Sequence, residues 1–306
     1  MPTYRLTLEY EGTRYRGWQE QKNARTVAGE LRKGIEKVAG RVLELGGSGR
    51  TDAGVHAVAQ TAHLRLARNM DAETFRRGLN ELLPADIHVL HLSLAPEQFH
   101  ARHTALARSY LYQIALRRTA FAKRFVWWVK RPLDLDRMVE GARLFRGRHD
   151  FALFCERPSE QPSTLVVVER AEIVQAGALL LVRLVASHFL WRMVRRVVGA
   201  LVEAGSGQLD LEVLRDLLEG KGEVPQKIHP AQWTAPPSGL FLERVTYAGD
   251  PPLPAITPIV PVTSESLGDG AGERKRGASR IDRSIGPRLG RHADSLDGGH
   301  RLGPGR

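Results

Sequence analysis

The sequence predicts an α+β fold of two ferredoxin-like halves, whose strands form one mixed, mainly antiparallel sheet flanked by helices. Two observations lead to this prediction. The first hundred residues show the element order β-α-β, loop, β-α-β, which is the split β-α-β arrangement. Residues 106–248 repeat that order with different side chains, so the two halves can join their sheets edge to edge.

The first half, residues 1–105, is expected to form an N-terminal α+β domain that carries a catalytic loop. Apolar and polar side chains alternate from Tyr4 to Tyr10, which predicts a strand. Helical spacing of apolar residues predicts a helix over 26–38, and Asp71 is a suitable N-cap for a second helix that Pro84 ends. The other strand patterns of this half lie near 41–45, 60–66 and 87–94.

The second half, residues 106–248, is expected to form a C-terminal α+β domain. Its strand patterns cover 109–116, 164–175, 178–186 and 239–247. Its helical patterns cover 134–145, 188–204 and 209–218.

The composition changes after Gly249. Residues 251–258 are rich in proline, glycine and arginine become frequent from residue 265 onward, and no aromatic residue follows Tyr247. Such a segment cannot bury a core of its own, so residues 249–306 are predicted to be a disordered, Pro/Gly/Arg-rich tail. A solvated extension is favoured over a weak electrostatic arm for RNA.

Charge and cysteine content restrict the class of protein. The 306-residue chain has a formal net charge of +11, of which +5 falls within residues 271–306, so the rest is only mildly basic and permits RNA binding without requiring it. Its one cysteine, Cys155, excludes an intrachain disulfide and favours a reducing compartment. The N-terminus lacks the apolar run of a signal peptide, and Arg183 interrupts the most apolar stretch, residues 178–186. A soluble cytoplasmic protein without a membrane segment is therefore predicted.

The most informative segment is the glycine-rich loop at residues 47–57, between two predicted strands. If the backbone is extended from Arg50 to Asp52, both side chains project from the same face. A nearby guanidinium keeps a carboxylate ionised and limits its rotamers, so Asp52 suits a nucleophile better than a general acid. A lone Asp-x-Gly would more simply cap a turn, and His56 would more simply hydrogen-bond the backbone.

Residues 50–57, which read Arg-Thr-Asp-Ala-Gly-Val-His-Ala, resemble the signature of the TruA-type tRNA pseudouridine synthases. The resemblance spans roughly residues 3–248. It implies that Asp52 is the catalytic nucleophile and that Arg50 helps to extrude or replace the target nucleotide.

The strand around residue 110 carries a second motif of this family. Arg108, Tyr110 and Tyr112 alternate on one face, which by itself is typical of any half-buried strand. The resemblance implies that Tyr110 lies against the target base, where it stacks on the uracil and helps catalysis, and that Arg108 binds RNA. Tyr112 is interpreted as packing.

The helix predicted from residue 188 carries a third motif. Arg192, Arg195 and Arg196 lie opposite an apolar stripe, and such a cationic face is usually only solvated, although it also suits phosphates. The resemblance implies that Arg195 pairs with Asp52, and the cationic face predicts that Arg192 and Arg196 bind RNA. Leu240, in the closing strand, corresponds to a leucine of the uridine pocket, and its alternative is an ordinary core position.

The function implied by the resemblance is isomerisation of uridine to pseudouridine at positions 38, 39 and 40 of the tRNA anticodon stem-loop, by a homodimer in which one tRNA touches both subunits. No His/Cys cluster has ligand spacing and no phosphate-binding glycine loop precedes a lysine, so neither a metal nor a small-molecule cofactor is predicted. Two alternatives from other classes are a non-catalytic RNA-binding protein and a glycosidase. The second would need a partner for Asp52, because glycosidases pair two carboxylates.

Overall fold

The computed structural model describes residues 1–220 and 228–264, which belong to one compact unit with ten strands and five α-helices. The strands are β1 (Thr3–Tyr10), β2 (Val42–Gly47), β3 (His56–Leu66), β4 (Ile87–Ala95), β5 (Ala107–Ala115), β6 (Trp127–Trp128), β7 (Gly147–Asp150), β8 (Leu165–Ala176), β9 (Leu179–Ala186) and β10 (Leu240–Thr246). The helices are α1 (Val27–Ala39), α2 (Ala72–Leu82), α3 (Leu135–Leu144), α4 (Met193–Gly205) and α5 (Leu211–Glu219). Across these described ranges, none of the helices has the length and apolar character that crossing a membrane requires.

The described strands form a single sheet in the order β4-β1-β3-β10-β5-β9-β8-β7, with β2 beside β3 and β6 beside β5. The first half supplies the order β4-β1-β3-β2 and the second half supplies β10-β5-β9-β8, so the same arrangement occurs twice. Parallel pairing of β10 with the start of β3 joins the halves. The predicted α+β class and the edge-to-edge sheet are confirmed. The division predicted between residues 105 and 106 falls between β4 and β5 and separates the two repeats.

Side-chain caps fix where the main helices begin. Thr26 Oγ1 accepts a hydrogen bond from the Gly29 amide, 3.3 Å away, at the start of α1. Asp71 Oδ1 accepts one from the Thr74 amide at 2.9 Å, as the sequence predicted for α2, and Asp134 does the same for α3 at 3.0 Å. Each cap satisfies an amide that has no partner within its helix. The apolar faces of these helices then cover one face of the sheet.

Helix α4 begins later than predicted, at Met193 instead of residue 188. Arg192 has a φ of +62°, which is left-handed and cannot continue a helix. Residues 187–192 therefore form a loop ahead of the helix. The short strands β6 and β7 were not predicted, because two and four residues are too few for a periodic pattern.

The prediction of a disordered tail is wrong for residues 251–264. Residues 251–264 run across the second face of the sheet, where Val262 is buried beside Leu111 and Leu181. Gln113, on β5, binds this segment by accepting from the Ile259 amide at 2.7 Å. The segment has no core of its own and instead covers the apolar face of β5 and β9. The rest of the predicted tail, residues 265–306, lies outside the described residues.

Candidate active site

A cavity of about 1180 Å³ is lined by residues of both halves of the sheet. Asp52, Tyr110 and Leu240 line it, and a concentration of guanidinium groups surrounds them. The lining arginines are Arg16, Arg50, Arg102, Arg108, Arg192 and Arg195. A concave surface with this charge attracts a polyanion such as RNA.

The loop that carries Asp52 is pressed against the segment that follows β1. A Cβ atom on Gly12 would lie 1.9 Å from the carbonyl oxygen of Val55, and one on Gly17 would lie 2.4 Å from that of Thr51. Only glycine permits this approach. The Trp18 amide donates to the Thr51 carbonyl at 3.1 Å, and the Tyr10 and Thr51 hydroxyl groups share a hydrogen bond of 2.8 Å. The backbone on the N-terminal side of Asp52 is therefore held from the rear.

Buried polar side chains hold the beginning of the same loop. Ser48 Oγ donates to Gln60 Oε1 at 2.8 Å, and Gln60 Nε2 donates to the carbonyl of Gly49 at 2.8 Å. Arg108 Nη2 donates to the carbonyl of Ser48 at 2.9 Å. These bonds connect the loop to β3 and β5, so it is ordered without a regular element of its own.

Asp52 forms an ion pair with Arg195, in which Nη1 lies 3.2 Å from Oδ2. The side chain of Asp52 is 21% exposed and that of Arg195 is 13% exposed, so the pair is partly screened from water but still reaches the cavity. The two residues lie 143 positions apart and come from different halves. The structure thus brings together the pair that the resemblance implied, and the guanidinium on Asp52 belongs to Arg195 instead of Arg50.

Arg195 is itself held by the segment that precedes β10. Its Nε donates to the Ala235 carbonyl at 2.7 Å, and the Ala235 amide donates back to the Arg195 carbonyl at 3.0 Å. Gly199, one turn further along α4, lies so close to this segment that a Cβ atom would be 1.6 Å from the carbonyl oxygen of Trp233. Gly199 therefore permits close packing of α4 against the segment that precedes β10.

Tyr110 and Leu240 form an apolar part of the cavity beside Asp52. Tyr110 is 7% exposed and meets Phe189 edge-on, with ring centroids 5.1 Å apart. Burial raises the pKa of the Tyr110 hydroxyl, with smaller effects from Tyr10 and Asp52, so the group keeps its proton at neutral pH. Tyr112, in contrast, is fully buried and donates to the Pro236 carbonyl at 2.7 Å, which agrees with its interpretation as packing.

Arg196 does not lie on an exposed cationic face, which corrects its predicted position. It is 4% exposed, does not line the cavity, and donates from Nη1 to the Cys155 carbonyl at 2.5 Å. It also forms an ion pair with Glu156. The segment around residues 151–156 covers this side of α4, and a helical pattern gives no indication of such a cover.

The remaining arginines that were predicted to bind RNA differ in exposure. Arg108 lines the cavity but is 7% exposed and donates to three other backbone carbonyls besides that of Ser48, so its guanidinium mainly organises loops. Arg50 is exposed on the cavity wall. Arg192 is 41% exposed at the same cavity, with Nη1 3.5 Å from Glu156 Oε2.

His56 has the backbone role that the sequence allowed. Its Nδ1 accepts from the Gly12 amide at 2.9 Å, which leaves the proton on Nε2, 3.0 Å from the carbonyl of Arg124. The ring is 1% exposed and stacks on Phe241 with centroids 4.9 Å apart. Burial lowers the pKa of His56. The group therefore stays neutral and anchors the end of the loop.

A histidine cluster that was not predicted from the sequence lies at the cavity wall. Glu44, His63 and His100 place their ligand-type atoms within 4.8 Å of one another. However, the Ala101 amide donates to His63 Nδ1 at 3.3 Å and the Arg102 amide donates to His100 Nδ1 at 3.2 Å, which puts the ring protons on Nε2. Nε2 of His63 is 3.1 Å from Glu44 Oε1. Both Nδ1 atoms are thus occupied as acceptors and both Nε2 atoms carry protons, so the cluster is a hydrogen-bonded group that does not fit a metal ion.

Comparison with known proteins decides the family. A family model described as tRNA pseudouridine synthase matches residues 7–103 and 142–248. The chain belongs to the tRNA pseudouridine synthase family. It is 37% identical over 252 residues to tRNA pseudouridine synthase A of Sinorhizobium fredii, which covers 81% of this chain and 100% of that protein. It is 38% identical over 253 residues to the proteins of the same name from Brucella ovis and Brucella melitensis, covering 81% of this chain and 99% of each of them. As a member of the family, the chain is an isomerase that forms pseudouridine.

Proposed function

We propose that this synthase acts on tRNA at uridines 38, 39 and 40 of the anticodon stem-loop, with Asp52 as the nucleophile. The observation that carries the proposal is the Arg195–Asp52 ion pair, whose carboxylate faces a cavity lined by six arginines. A carboxylate held in this way reaches a nucleotide whose phosphates bind to the exposed arginines of the cavity, which are Arg16, Arg50, Arg102 and Arg192.

The reaction breaks the C1′–N1 bond of uridine and forms a C1′–C5 bond, while a proton leaves C5 and N1 gains one. The target base has to leave the RNA stack first, which costs a few kcal/mol that phosphate contacts and stacking must offset. Arg195 binds Oδ2 of Asp52, so we assign the attack to Oδ1. Attack at C1′, attack at C6 and elimination to a glycal all start from this carboxylate.

We assign Tyr110 to hold the uracil by stacking while it turns, with Leu240 as a second apolar contact. Both side chains line the cavity with Asp52. Because burial raises the pKa of Tyr110, its hydroxyl is a poor base in the free protein, and stacking is favoured over removal of the C5 proton. Arg50, which is exposed on the same wall, is placed to occupy the position of the extruded nucleotide.

The test uses stem-loop RNA labelled with tritium at C5 of uridine. Wild-type protein should release tritium from an RNA with uridines at positions 38–40 and not from one with cytidine at all three, and Asp52→Asn should release none. Release from the cytidine RNA would contradict the site assignment. Free uracil among the products would favour a glycosidase. Binding without release by wild-type protein would favour an RNA-binding protein.

We also propose, on the family resemblance alone, a homodimer that acts in the cytoplasm. Light scattering on the purified chain should then give twice the 34.0 kDa mass of one chain. A mass of one chain at the concentration of the activity assay would contradict the dimer.

A further inference from the structure

Trp191 presents a large aromatic ring at the wall of the active-site cavity. The residue is 39% exposed, although the nearby Leu190 and Met193 are buried. Trp191 lines the same cavity as Asp52. An indole ring kept in contact with solvent at the wall of a nucleic-acid cavity offers a face on which an unpaired base can stack.

Two guanidinium groups surround this ring. The Cζ atom of Arg157 lies 5.3 Å from the centroid of the Trp191 ring, and that of Arg192 lies 5.6 Å from it. Their side chains are 60% and 41% exposed. Each also lies near a carboxylate, since Arg157 is 3.3 Å from Glu160 and Arg192 is 3.5 Å from Glu156. An aromatic face with cations at its edge matches a nucleotide, in which a phosphate accompanies each base.

The backbone at both arginines is strained. Arg157 has a φ of +48° and Arg192 a φ of +62°, and within residues 1–220 and 228–264 they are the non-glycine residues with positive φ. Side chains rarely adopt this conformation, and it persists mainly at functional sites, where the surroundings enforce it. That both strained residues contact the same ring is an independent indication that the arrangement serves binding.

The segments that carry these side chains are joined beneath the ring. The Glu156 amide donates to the carbonyl of Trp191 at 2.9 Å. Buried Arg196 holds the same segment through the Cys155 carbonyl and Glu156. The ring and its two arginines are therefore positioned before any ligand arrives, which reduces the entropy lost on binding.

We propose that Trp191, Arg157 and Arg192 form a subsite for an unpaired nucleotide next to the uridine that enters the Asp52 pocket. The base of this nucleotide stacks on the indole, and its phosphate contacts the guanidinium groups. The inference rests on the proposed function, because it requires a flipped uridine with a neighbour that has also lost its stacking partner.

Trp128 provides a matched control. It is 37% exposed, and Arg118 and Lys130 lie 5.9 Å and 5.5 Å from its ring centroid, so its surroundings resemble those of Trp191. It lies on β6 and does not line the cavity. Any effect that comes from exposed tryptophan in general, or from cation–π pairs in general, should therefore appear at both positions.

The experiment measures the Kd for anticodon stem-loop RNA, its salt dependence and the melting temperature for the full chain and four variants. Trp191→Ala should weaken binding by about 5- to 100-fold without changing the salt slope, because it removes stacking and no charge. Trp191→Phe should keep most of the affinity, and Trp128→Ala should bind as the wild type does. Arg192→Gln should lower the salt slope by about one.

Three results would overturn the proposal: wild-type affinity in Trp191→Ala, an equal loss in Trp128→Ala, or no recovery in a folded Trp191→Phe. Tritium release by the wild type, measured on the same RNA, distinguishes failure of the Trp191 subsite from failure of the proposed function. Release with unaltered binding by Trp191→Ala would remove only the subsite. Absence of both release and binding by the wild type would remove the subsite and the proposed function together.

Discussion

The two walls of the cavity hold their side chains in opposite ways. The loop at residues 48–55 is pressed against the backbone near Gly12 and Gly17, and its polar groups are bonded to buried partners. The loop ahead of α4 leaves Trp191 and Arg192 exposed and keeps Arg192 in a strained conformation. We propose that the rigid wall fixes one carboxylate for chemistry and that the exposed wall binds RNA. Arg195 belongs to the second wall, and its guanidinium binds Asp52 on the first wall.

Removing the guanidinium of Arg195, which connects the two walls, should affect the rate more than any other change described below except that of Asp52 itself. Arg195→Met should lower the single-turnover rate by about 1000-fold while RNA binding changes little, because the variant loses the group that orients Asp52. Arg195→Lys should recover only part of the rate, since one ammonium cannot replace both Nη1 on Asp52 and Nε on the Ala235 carbonyl. A rate for Arg195→Met within tenfold of the wild type would contradict the positioning role.

Truncation at the C-terminal side tests how much the cover on the second face of the sheet stabilises the fold. A chain that ends at Asp250 uncovers the apolar face of β5 and β9, so its unfolding free energy should fall by about 4 kcal/mol. A chain that ends at Ser264 keeps the contacts of Val262 and Ile259 and should match the full chain. Denaturant unfolding measures both, and equal stability of the two truncated chains would show that residues 251–264 contribute no packing.

Adding one methyl group at Gly12 tests how closely the first wall is packed. Gly12→Ala should lower the unfolding free energy by about 3 kcal/mol and reduce the rate, because the new Cβ meets the Val55 carbonyl oxygen. Gly78→Ala is the matched control, because Gly78 lies inside helix α2 and a Cβ atom there would be 3.6 Å from Val38 of α1. This substitution should stabilise the protein by about 0.5–1 kcal/mol. Chemical denaturation followed by circular dichroism measures both, and equal effects would argue against a closely packed loop.

Removing Arg192, which is exposed on the second wall, should have a different effect from removing Arg196, which is buried one helical turn away. Arg196→Met removes the buried guanidinium from the Cys155 carbonyl and leaves Glu156 with the more exposed Arg192, so the unfolding free energy should fall by about 2 kcal/mol. Arg192→Met should change stability by less than about 0.5 kcal/mol and instead weaken RNA binding and flatten its salt dependence. If the two variants showed the same pattern, the distinction between a buried clamp and an exposed contact would be lost.

Much of the fold could be predicted because alternation and helical spacing are local signals. The repeated element order gave both halves and the shared sheet, and the N-cap of α2 was visible as Asp71. The position of Arg196 could not be predicted, because a helical pattern shows which side is apolar and not which loop covers the other side. The cluster of Glu44, His63 and His100 is equally invisible, since tertiary folding alone brings these separated positions together.

The sequence of β9 carries a signal for the cover that residues 251–264 form. Residues 179–186 are almost continuously apolar, a pattern typical of a strand that is buried on both faces. Such a strand needs a cover on its second face, and residues 251–264 provide it. Composition alone predicted a disordered tail for these residues, because a segment that packs on another surface needs few large apolar residues.

Asp52→Asn tests whether the carboxylate of the rigid wall serves chemistry and not affinity. Its single-turnover rate of pseudouridine formation and its Kd for stem-loop RNA should be measured on the same preparation as the wild type. We expect a rate at least about 1000-fold lower and a Kd within about threefold of the wild type, because the amide keeps the shape of the side chain and loses the nucleophile. A variant that still turns over, or one that loses binding as strongly as it loses rate, would contradict this expectation.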